Sequence, residues 1–339
     1  MNCRHPSILP TVYCLLLASL GLTGQSAAPI GKLAPKPLFR DPVHDGAADP
    51  VLVWNRGEKR WFMLYTNRRA NVSGEPGVSW VHGTRIGIAE STDAGATWKY
   101  RGTAQINYGK PDYSHWAPDV IDDGATYHMY LSVVPGTFAD WNAPREIVHL
   151  TSPDLLKWSH ASKLELGSDR VIDATVIRLE NAMWRLWYKD ERDKSHIHFA
   201  DSRDLVHWTK AGVAIDDRSG EGAKVFRWKD RFWMITDIWK GIAVYSSDDA
   251  KTWTVQPELL LAQPGKTPTD RAKGQHADVV VADGRAFIFY FTHQDGADAK
   301  PGDPNWSRRS VIQVAELIFR NGQITCDRDV PTNVDLQRP

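Results

Sequence analysis

Three carboxylates, Asp49, Asp173 and Glu221, stand at the start of short apolar segments that are far apart in the sequence. When these segments are aligned on the small residue or proline that precedes each apolar run, Ala117 and His276 take the remaining two positions. Carboxylates gathered at the ends of buried strands repel one another and lose hydration, so their presence suggests chemistry. A carboxylic acid that protonates a leaving oxygen, with a carboxylate that activates water or attacks a sugar, can break a glycosidic bond.

The elements that must position these residues repeat five times. A unit that recurs at roughly 45 to 70 residues indicates a propeller or a solenoid rather than separate domains. Each unit opens with a β-branched, apolar segment: Ala48–Trp54, His115–Ile121, Ile172–Ile177, Gly220–Phe226 and His276–Val281. A second apolar run follows after turn residues, which predicts a hairpin: Arg60–Tyr65, Thr126–Leu131, Met183–Tyr188, Arg231–Ile235 and Ala286–Phe291.

A third run ends in a turn and a tryptophan in four of the five units: Ile86–Trp98, Ile147–Trp158, Ile197–Trp208 and Ile242–Trp253. The fifth unit instead ends with a hairpin around Asn321-Gly322. Each unit therefore supplies about four antiparallel strands, and the sequence predicts an all-β, five-bladed β-propeller. A residue that is repeated at the same place in each blade is expected to have the same structural role each time. We therefore interpret these tryptophans as residues that pack the blades.

The first 28 residues have the composition of an export signal. A basic patch at Arg4 and His5 precedes an apolar run, Val12–Leu22, and the small residues Gly24–Ala28. The run is too short to cross a bilayer as a helix, although an uncleaved anchor is the alternative. We therefore expect residues 29–339 to form a single catalytic propeller domain, secreted or periplasmic.

The amino-acid composition limits the kinds of partner that the protein is expected to bind. Lys plus Arg equals Asp plus Glu at 41 each, so net charge gives no reason to expect nucleic acid or an anionic membrane. Fifteen tryptophans suit sugar rings, although aromatic residues also fill cores. Of the three cysteines, Cys3 and Cys14 lie in the predicted signal, which leaves Cys326 alone and excludes an intramolecular disulfide or a cysteine-cluster metal site.

At these motifs the chain resembles glycoside hydrolase family 43 and its clan of five-bladed inverting enzymes. The resemblance covers nearly all of the chain after the signal and rests on Asp49-Pro50, Trp116-Ala-Pro-Asp119, Ile172-Asp173, Glu221-Gly222-Ala223 and His276. It implies that Asp49 is the general base, Glu221 the general acid and Asp173 the residue that adjusts the pKa of the acid. The family has Glu-Gly-Pro where this chain has Glu221-Gly222-Ala223, a departure in backbone rather than in chemistry.

These roles lead to specific expectations for the site. Inverting enzymes separate their two carboxyl groups by roughly 6.5 to 9.5 Å to admit a water molecule. We expect Asp49 to stay ionised, and we expect Glu221, facing Asp173 in a partly dry channel, to have a raised pKa and hold a proton.

Other residues are candidates for contact with the substrate. They are Trp116, Asp119, His276, Trp80 in the insertion Asn67–Gly83, and Trp141 in the insertion Pro135–Pro144. Asp119 is two residues out of the common alignment, so we expect it to anchor its blade or to bind a sugar hydroxyl. Acid–base chemistry requires no cofactor, while a structural calcium or sodium ion near His276 is the one cation that the resemblance leaves open.

The predicted function is hydrolysis of plant or algal oligo- or polysaccharides with arabinose, xylose or galactose units. Three alternatives stay open: a non-catalytic glycan-binding propeller, a retaining fructan-hydrolase-like enzyme, and a sialidase-like enzyme. Arg40-Asp41-Pro42 resembles a fructan-hydrolase motif, and Ser91–Trp98 resembles the sialidase Asp-box, but sialidases have six blades. The sequence does not specify the sugar, the linkage, exo or endo action, or the oligomeric state.

Overall fold

The computed structural model describes residues 1–2 and 31–337. The predicted export signal, apart from its first two residues, therefore lies outside the described residues. The described chain contains 23 strands and three short 3-10 helices, Ser79–Val81, Gly296–Asp298 and Trp306–Arg308, and no α-helix. None of these described elements is a helix long and apolar enough to span a lipid bilayer.

Consecutive antiparallel strands form five blades, which confirms the predicted propeller. A short strand, β1 (Lys32–Leu33), comes first. Blade 1 contains β2 (Ala47–Asn55), β3 (Arg60–Asn67), β4 (Arg85–Ser91) and β5 (Lys99–Thr103), and blade 2 contains β6 (Gln105–Asn107), β7 (Ser114–Asp122), β8 (Tyr127–Val134), β9 (Glu146–Ser152) and β10 (Lys157–Lys163). The additional strand β6 pairs in parallel with β10 at the edge of blade 2.

The remaining three blades have four strands each. Blade 3 contains β11 (Val171–Arg178), β12 (Trp184–Asp190), β13 (His196–Ser202) and β14 (Thr209–Ile215); blade 4 contains β15 (Glu221–Trp228), β16 (Arg231–Asp237), β17 (Ile242–Ser247) and β18 (Thr254–Val255). Blade 5 contains β19 (Gln275–Ala282), β20 (Arg285–His293), β21 (Ser310–Arg320) and β22 (Gln323–Cys326), and β23 (Asn333–Val334) follows it. The first strands of successive blades contact one another, and β19 contacts β2, so these five strands surround the axis.

The ring is closed by the segment that precedes blade 1. Phe39 and Ile312 exchange backbone hydrogen bonds of 3.1 and 2.9 Å, and the amide of Ser310 donates to the carbonyl of Asp45 at 3.1 Å. Close by, β1 pairs with β23. The two ends of the described propeller therefore meet at the junction of blades 5 and 1, where backbone pairing holds the ring shut.

The core lies between neighbouring blades and is rich in aromatic residues, such as the fully buried Trp158, Trp187 and Trp233. Burying one such side chain contributes roughly 1.5–3 kcal/mol. In three of the tryptophan turns the indole N–H donates to the carbonyl three residues earlier, at 2.9–3.1 Å: Trp98, Trp158 and Trp208. These tryptophans pack against the hydrophobic clusters between neighbouring blades, which confirms the predicted packing role.

Candidate active site

Residues of all five blades line a cavity of about 400 Å³ around the start of the inner strands, within the range of about 300–1,000 Å³ that is typical of small-molecule pockets. The lining comprises Asp49, Arg68, Trp80, Val81, Trp116, Ala117, Trp141, Arg145, Ile172, Asp173, Lys189, Glu191, Glu221, Trp239, Gln275, His276, Phe291 and His293. The three predicted carboxylates therefore meet in one pocket, together with four of the five predicted substrate-binding residues.

Each inner strand carries a β-bulge near its start, and the residue at the bulge has a positive φ. The five φ values are 50° at Asp49, 40° at Ala117, 59° at Asp173, 58° at Gly222 and 22° at His276. A bulge bends its strand and re-aims a side chain, which turns these positions toward the pocket.

The bulge positions correct the predicted alignment of blade 4. Gly222, and not Glu221, is equivalent to Asp49 and Asp173. Glu221 lies one residue earlier and pairs with Asp237 across the hairpin. Its side chain still reaches the pocket. Gly222 also makes room for its neighbour, because a Cβ at this position would lie 2.6 Å from Cγ of His276.

Side chains of the preceding blade bind the amides of these bulges. The amides of Ala117 and Asp173 donate to the hydroxyls of Thr66 and Ser132, both at 2.8 Å. In blade 3 the position equivalent to Thr66 and Ser132 is occupied by Lys189, because each of the three pairs with the residue just before the bulge of its own blade. The next amide, that of Gly222, is bound instead by Oδ2 of Asp173 at 3.0 Å. Asp173 is therefore fixed in place by the backbone of blade 4.

Asp49 is 5% exposed and faces two basic side chains. Nη2 of Arg68 lies 3.2 and 3.4 Å from its two carboxylate oxygens, and Nδ1 of His276 lies 3.5 Å from Oδ1. Burial raises the pKa of Asp49, but Arg68, His276 and a hydrogen bond with Thr66 together outweigh burial and hold this pKa below its ordinary value. Asp49 is thus a carboxylate at neutral pH, the state that a general base needs.

Glu221 is held by two donors, one on each oxygen. Nζ of Lys189 lies 2.9 Å from Oε2, and the indole N–H of Trp239 donates to Oε1 at 2.9 Å. Burial raises the pKa of Glu221, yet Lys189, His276 and Trp239 outweigh it, so the pKa lies below its ordinary value. The expectation of a raised pKa for Glu221 is therefore wrong, because the sequence did not reveal that β12 places an ammonium group beside the carboxylate.

Two neighbouring carboxyl groups have raised pKa values instead. Burial and the charge of Glu221 raise the pKa of Asp173 to about 6, although His276 opposes the shift. Burial and the same charge also raise the pKa of Asp237 to about 6. Asp237 accepts hydrogen bonds from the amides of Trp239 at 2.7 Å and His276 at 3.2 Å. In mildly acidic solution the site therefore holds its protons next to Glu221 rather than on it.

His276 lies among the carboxylates. Burial lowers the pKa of its imidazole, but Asp49, Asp173, Glu221 and Asp237 together raise the pKa above its ordinary value. The surrounding carboxylates thus favour the charged form of the imidazole. Within residues 1–2 and 31–337, no three His, Cys, Asp or Glu side chains converge as a metal site; the calcium or sodium ion considered near His276 stays a prediction.

Aromatic side chains form one wall of the pocket. The rings of Trp116 and Trp141 lie 6.1 Å apart, and His82 packs against both. Trp80 also lines the pocket, so both predicted insertions contribute a tryptophan to it. Arg145 and Arg170 both donate to the carbonyl of Trp141, which fixes this loop.

Asp119 lies deeper on the axis and is not among the described residues that line the pocket. Nζ of Lys224 lies 2.9 Å from both Asp119 and Asp278. The second oxygens of these two carboxylates accept the amides of Val176 and Leu52, each at 2.8 Å. Asp119 therefore joins three blades in an ion-paired cluster, which we call the axial triad (Asp119, Lys224 and Asp278). This is the anchoring role expected for it, and not the binding of a sugar hydroxyl.

Sequence reasoning missed four residues that define the site: Arg68, Lys189, Asp237 and Trp239. All four lie at the end of a second strand or just after it. Lys189 directly follows the apolar run Trp184–Tyr188, and this charge at the end of an otherwise buried strand was a usable signal. Trp239 lies in a short turn whose sequence carries no repeat pattern.

The fold is a five-bladed propeller, and its pocket combines several carboxylates with tryptophan walls. These features define the class of glycosidase-like propellers. Residues 38–270 match a family related to glycoside hydrolase family 43 and described as "Probable glycosyl hydrolase domain". This match covers more than half of the sequence. The chain belongs to that family. A comparison with curated proteins found no match.

Solved structures of family 43 enzymes share the fold. A thermostable family 43 glycoside hydrolase is 18% identical with a TM-score of 0.63, over 88% of this chain and 100% of that one. A β-xylosidase/α-arabinofuranosidase from a compost microbial metagenome, with xylotriose and in a calcium-free form, is 15% identical with a TM-score of 0.63, over 88% and 98%. A β-1,3-galactosidase of the family with galactodeoxynojirimycin is 14% identical with a TM-score of 0.63, over 87% and 99%.

Proposed function

We propose that this protein is an exported glycoside hydrolase that inverts the anomeric centre of its substrate, with Asp49 as general base, Glu221 as general acid and Asp173 as the group that tunes the acid. The observation that carries the proposal is the meeting of these three carboxylates in one pocket with aromatic walls. Export rests on the composition of residues 1–28.

In this mechanism Asp49 takes a proton from water as the water attacks the anomeric carbon, and Glu221 gives a proton to the departing oxygen. Glu221 must first gain that proton. Asp173, with its pKa of about 6, supplies a protonated neighbour in mildly acidic solution. A sugar in the pocket replaces water around Glu221 and disfavours its charged form, which moves a proton toward it.

The substrate that fits this pocket is a neutral sugar. Each arginine and lysine in the wall is paired with a carboxylate: Arg68 with Asp49, Lys189 with Glu221 and Arg145 with Glu191. A negatively charged sugar acid would find no unpaired cation among these three. Tryptophan faces suit the apolar faces of sugar rings. We therefore propose arabinose, xylose or galactose units of plant or algal oligo- or polysaccharides, the sugars named for the xylosidase/arabinofuranosidase and galactosidase relatives.

The test is a screen on 4-nitrophenyl glycosides and on plant and algal oligosaccharides, with the first-formed anomer followed by NMR. We expect hydrolysis with inversion. Glu221→Gln should lose activity on oligosaccharides but keep much of it on dinitrophenyl glycosides, whose leaving groups need little protonation. Retention would favour a fructan-hydrolase-like or sialidase-like mechanism, and binding without hydrolysis would favour a glycan-binding propeller.

A further inference from the structure

Trp239 is an exposed aromatic residue with an unusual backbone. It lies in the turn between β16 and β17, its φ is +59°, and the residue is 40% exposed although it lines the pocket. A left-handed conformation outside glycine costs on the order of 1 kcal/mol and persists only where the surroundings hold it. Here the amide of Trp239 donates to Oδ1 of Asp237 at 2.7 Å, which fixes the turn.

The indole of Trp239 has two kinds of contact. Its edge donates the N–H to Oε1 of Glu221 at 2.9 Å. Its face receives Nζ of Lys189 at 5.3 Å from the ring centre, and the same ammonium lies 2.9 Å from Oε2 of Glu221. The indole therefore orients the carboxyl group of Glu221 and still presents apolar surface to the pocket.

A general acid must lie within hydrogen-bond reach of the oxygen that it protonates. A side chain that is hydrogen-bonded to that acid and exposed in the same pocket therefore lies beside the sugar that leaves. The other tryptophans of the pocket, Trp80, Trp116 and Trp141, come from blades 1 and 2. Trp239 comes from blade 4, the blade of Glu221, so it is the aromatic group placed to contact the leaving sugar.

We propose that Trp239 forms the binding platform for the leaving-group sugar and positions Glu221 for proton transfer. This inference rests on the proposed function. The recognised ligand is an oligosaccharide whose leaving unit is a neutral sugar ring with an apolar face.

The proton transfer then has a defined direction. In the proposed step Lys189 gives up Oε2 of Glu221 and pairs with Glu191, whose Oε1 is already 3.1 Å from its Nζ, while the indole N–H stays on Oε1. The proton of Glu221 then resides on Oε2. As the C–O bond to the leaving sugar breaks, its electron pair stays on the oxygen, which takes the proton from Oε2. Water bonds to the anomeric carbon and gives its proton to Asp49.

The experiment compares Trp239→Phe and Trp239→Ala, with Trp184→Phe as a matched control at the opposite end of a second strand. The substrates are a 4-nitrophenyl glycoside and an oligosaccharide that the enzyme cleaves. Trp239→Phe keeps a ring but loses the donor, so kcat on the oligosaccharide should fall about tenfold with KM within about twofold, while the nitrophenyl substrate changes little. Trp239→Ala should also raise the KM for the oligosaccharide about tenfold.

The pH profile separates positioning from folding. Loss of the indole donor raises the pKa of Glu221, so the alkaline limb of kcat/KM should move to higher pH in both Trp239 variants. The charged groups that face Glu221 are unchanged in both: Lys189, Asp173, Asp237, His276 and Arg145. The control should keep the wild-type profile.

Binding is measured separately by titration calorimetry with an oligosaccharide that the protein binds, whether or not it is cleaved, and with Asp49→Asn in every variant so that no substrate is hydrolysed during the titration. An affinity for the oligosaccharide about tenfold lower in Trp239→Ala than in the protein with Trp239 supports the platform. If the wild-type protein cleaves no glycoside, the absence of cleavage would overturn the proposed function but not the platform. Affinity, kcat and pH profile equal to those of Trp184→Phe in both variants would overturn the role of Trp239.

Discussion

Two levels of the central axis carry buried charges, and they differ in how those charges are satisfied. In the axial triad, Lys224 lies between Asp119 and Asp278, and each carboxylate also accepts a backbone amide. Two residues earlier along the inner strands, at the bulges, Asp49 and Asp173 face a cavity instead. There no basic group among the described residues lies at ion-pair distance from Asp173, and its pKa is raised to about 6.

The difference shows how one scaffold separates structure from chemistry. The charges of the axial triad are paired with one another and join blades, although burial still raises the pKa of Asp278 above its ordinary value. The charges at the bulges also have room for a ligand, and titratable groups with shifted pKa values beside a cavity are the pattern of functional sites. Both levels are formed by inner strands, so a substitution beside the cavity should lower activity most, and a substitution in the axial triad should lower stability with little effect on activity.

The sharpest test exchanges one aspartate at each level. Asp49→Asn should lower kcat/KM by about 10²–10⁴-fold, because an amide cannot accept a proton from water. It also removes the pairing with Arg68 and His276, so the free energy of unfolding should fall as well, by about 1–3 kcal/mol, although asparagine tolerates the positive φ. Kinetics and denaturant titration measure the two quantities.

The matched variant is Asp119→Asn. It weakens the pairing of Lys224 and should reduce the free energy of unfolding by about 1–3 kcal/mol while leaving kcat/KM of the folded protein close to the wild type. Loss of activity in Asp119→Asn as large as that in Asp49→Asn would remove the distinction between the two levels.

Removing the cation of the axial triad should be the most damaging change for stability. Lys224→Met leaves two buried carboxylates unpaired, and such a loss costs about 3–5 kcal/mol. Guanidinium titration at neutral pH measures it, with Lys251→Met on the exposed surface as control. Equal stability of the two variants would show that the triad does not hold the blades together.

Asp173→Asn tests the level of the axis that faces the cavity, through the pH dependence of the free energy of unfolding. The folded protein takes up a proton at Asp173 near pH 6, whereas an unfolded chain does so near the ordinary value of 3.8, so the charged group destabilises the fold above about pH 6. The variant should exceed the wild type by on the order of 2 kcal/mol at pH 8 and lose this advantage as pH falls toward 4. Urea titrations at the two pH values decide; an advantage that does not depend on pH would contradict the raised pKa.

The smallest effect is expected at the aromatic wall. Trp141→Ala removes a half-exposed ring worth about 0.5–1.5 kcal/mol of stacking, so KM should rise about 2- to 12-fold with little change in kcat or in the thermal midpoint. Val330→Ala, an exposed change elsewhere, serves as control. A fall in kcat alone would place Trp141 nearer the chemistry than its position indicates.

The blades, Asp49 and Asp173 could be predicted because they depend on patterns that repeat along the chain, and the tryptophan insertions because they interrupt that repeat. Strand alternation and turn residues defined the hairpins. Asp49 and Asp173 followed from their shared place before an apolar run, and the structure gives them equivalent bulges.

The rest depends on contacts that the sequence pattern does not encode. Glu221 could not be aligned correctly with Asp49 and Asp173. The bulge residue of its strand is Gly222, and a glycine lacks the carboxylate that marked the bulge position in blades 1 and 3. The pKa of Glu221 depends on Lys189, which comes from another blade. Trp239 and the closing contact of Phe39 with β21 lie outside the repeat, so only the folded chain shows them.

Pairing of β1 with β23 places Lys32 opposite Val334, so the first and last strands of the described propeller are adjacent and could be joined directly. A short linker between these two strands, with new termini opened at an exposed hairpin tip such as Asp123-Gly124, would give a circular permutant that keeps all five blades, with blade 2 assembled from both new ends. Such a rearrangement would carry the pocket unchanged to a chain whose order of blades is rotated.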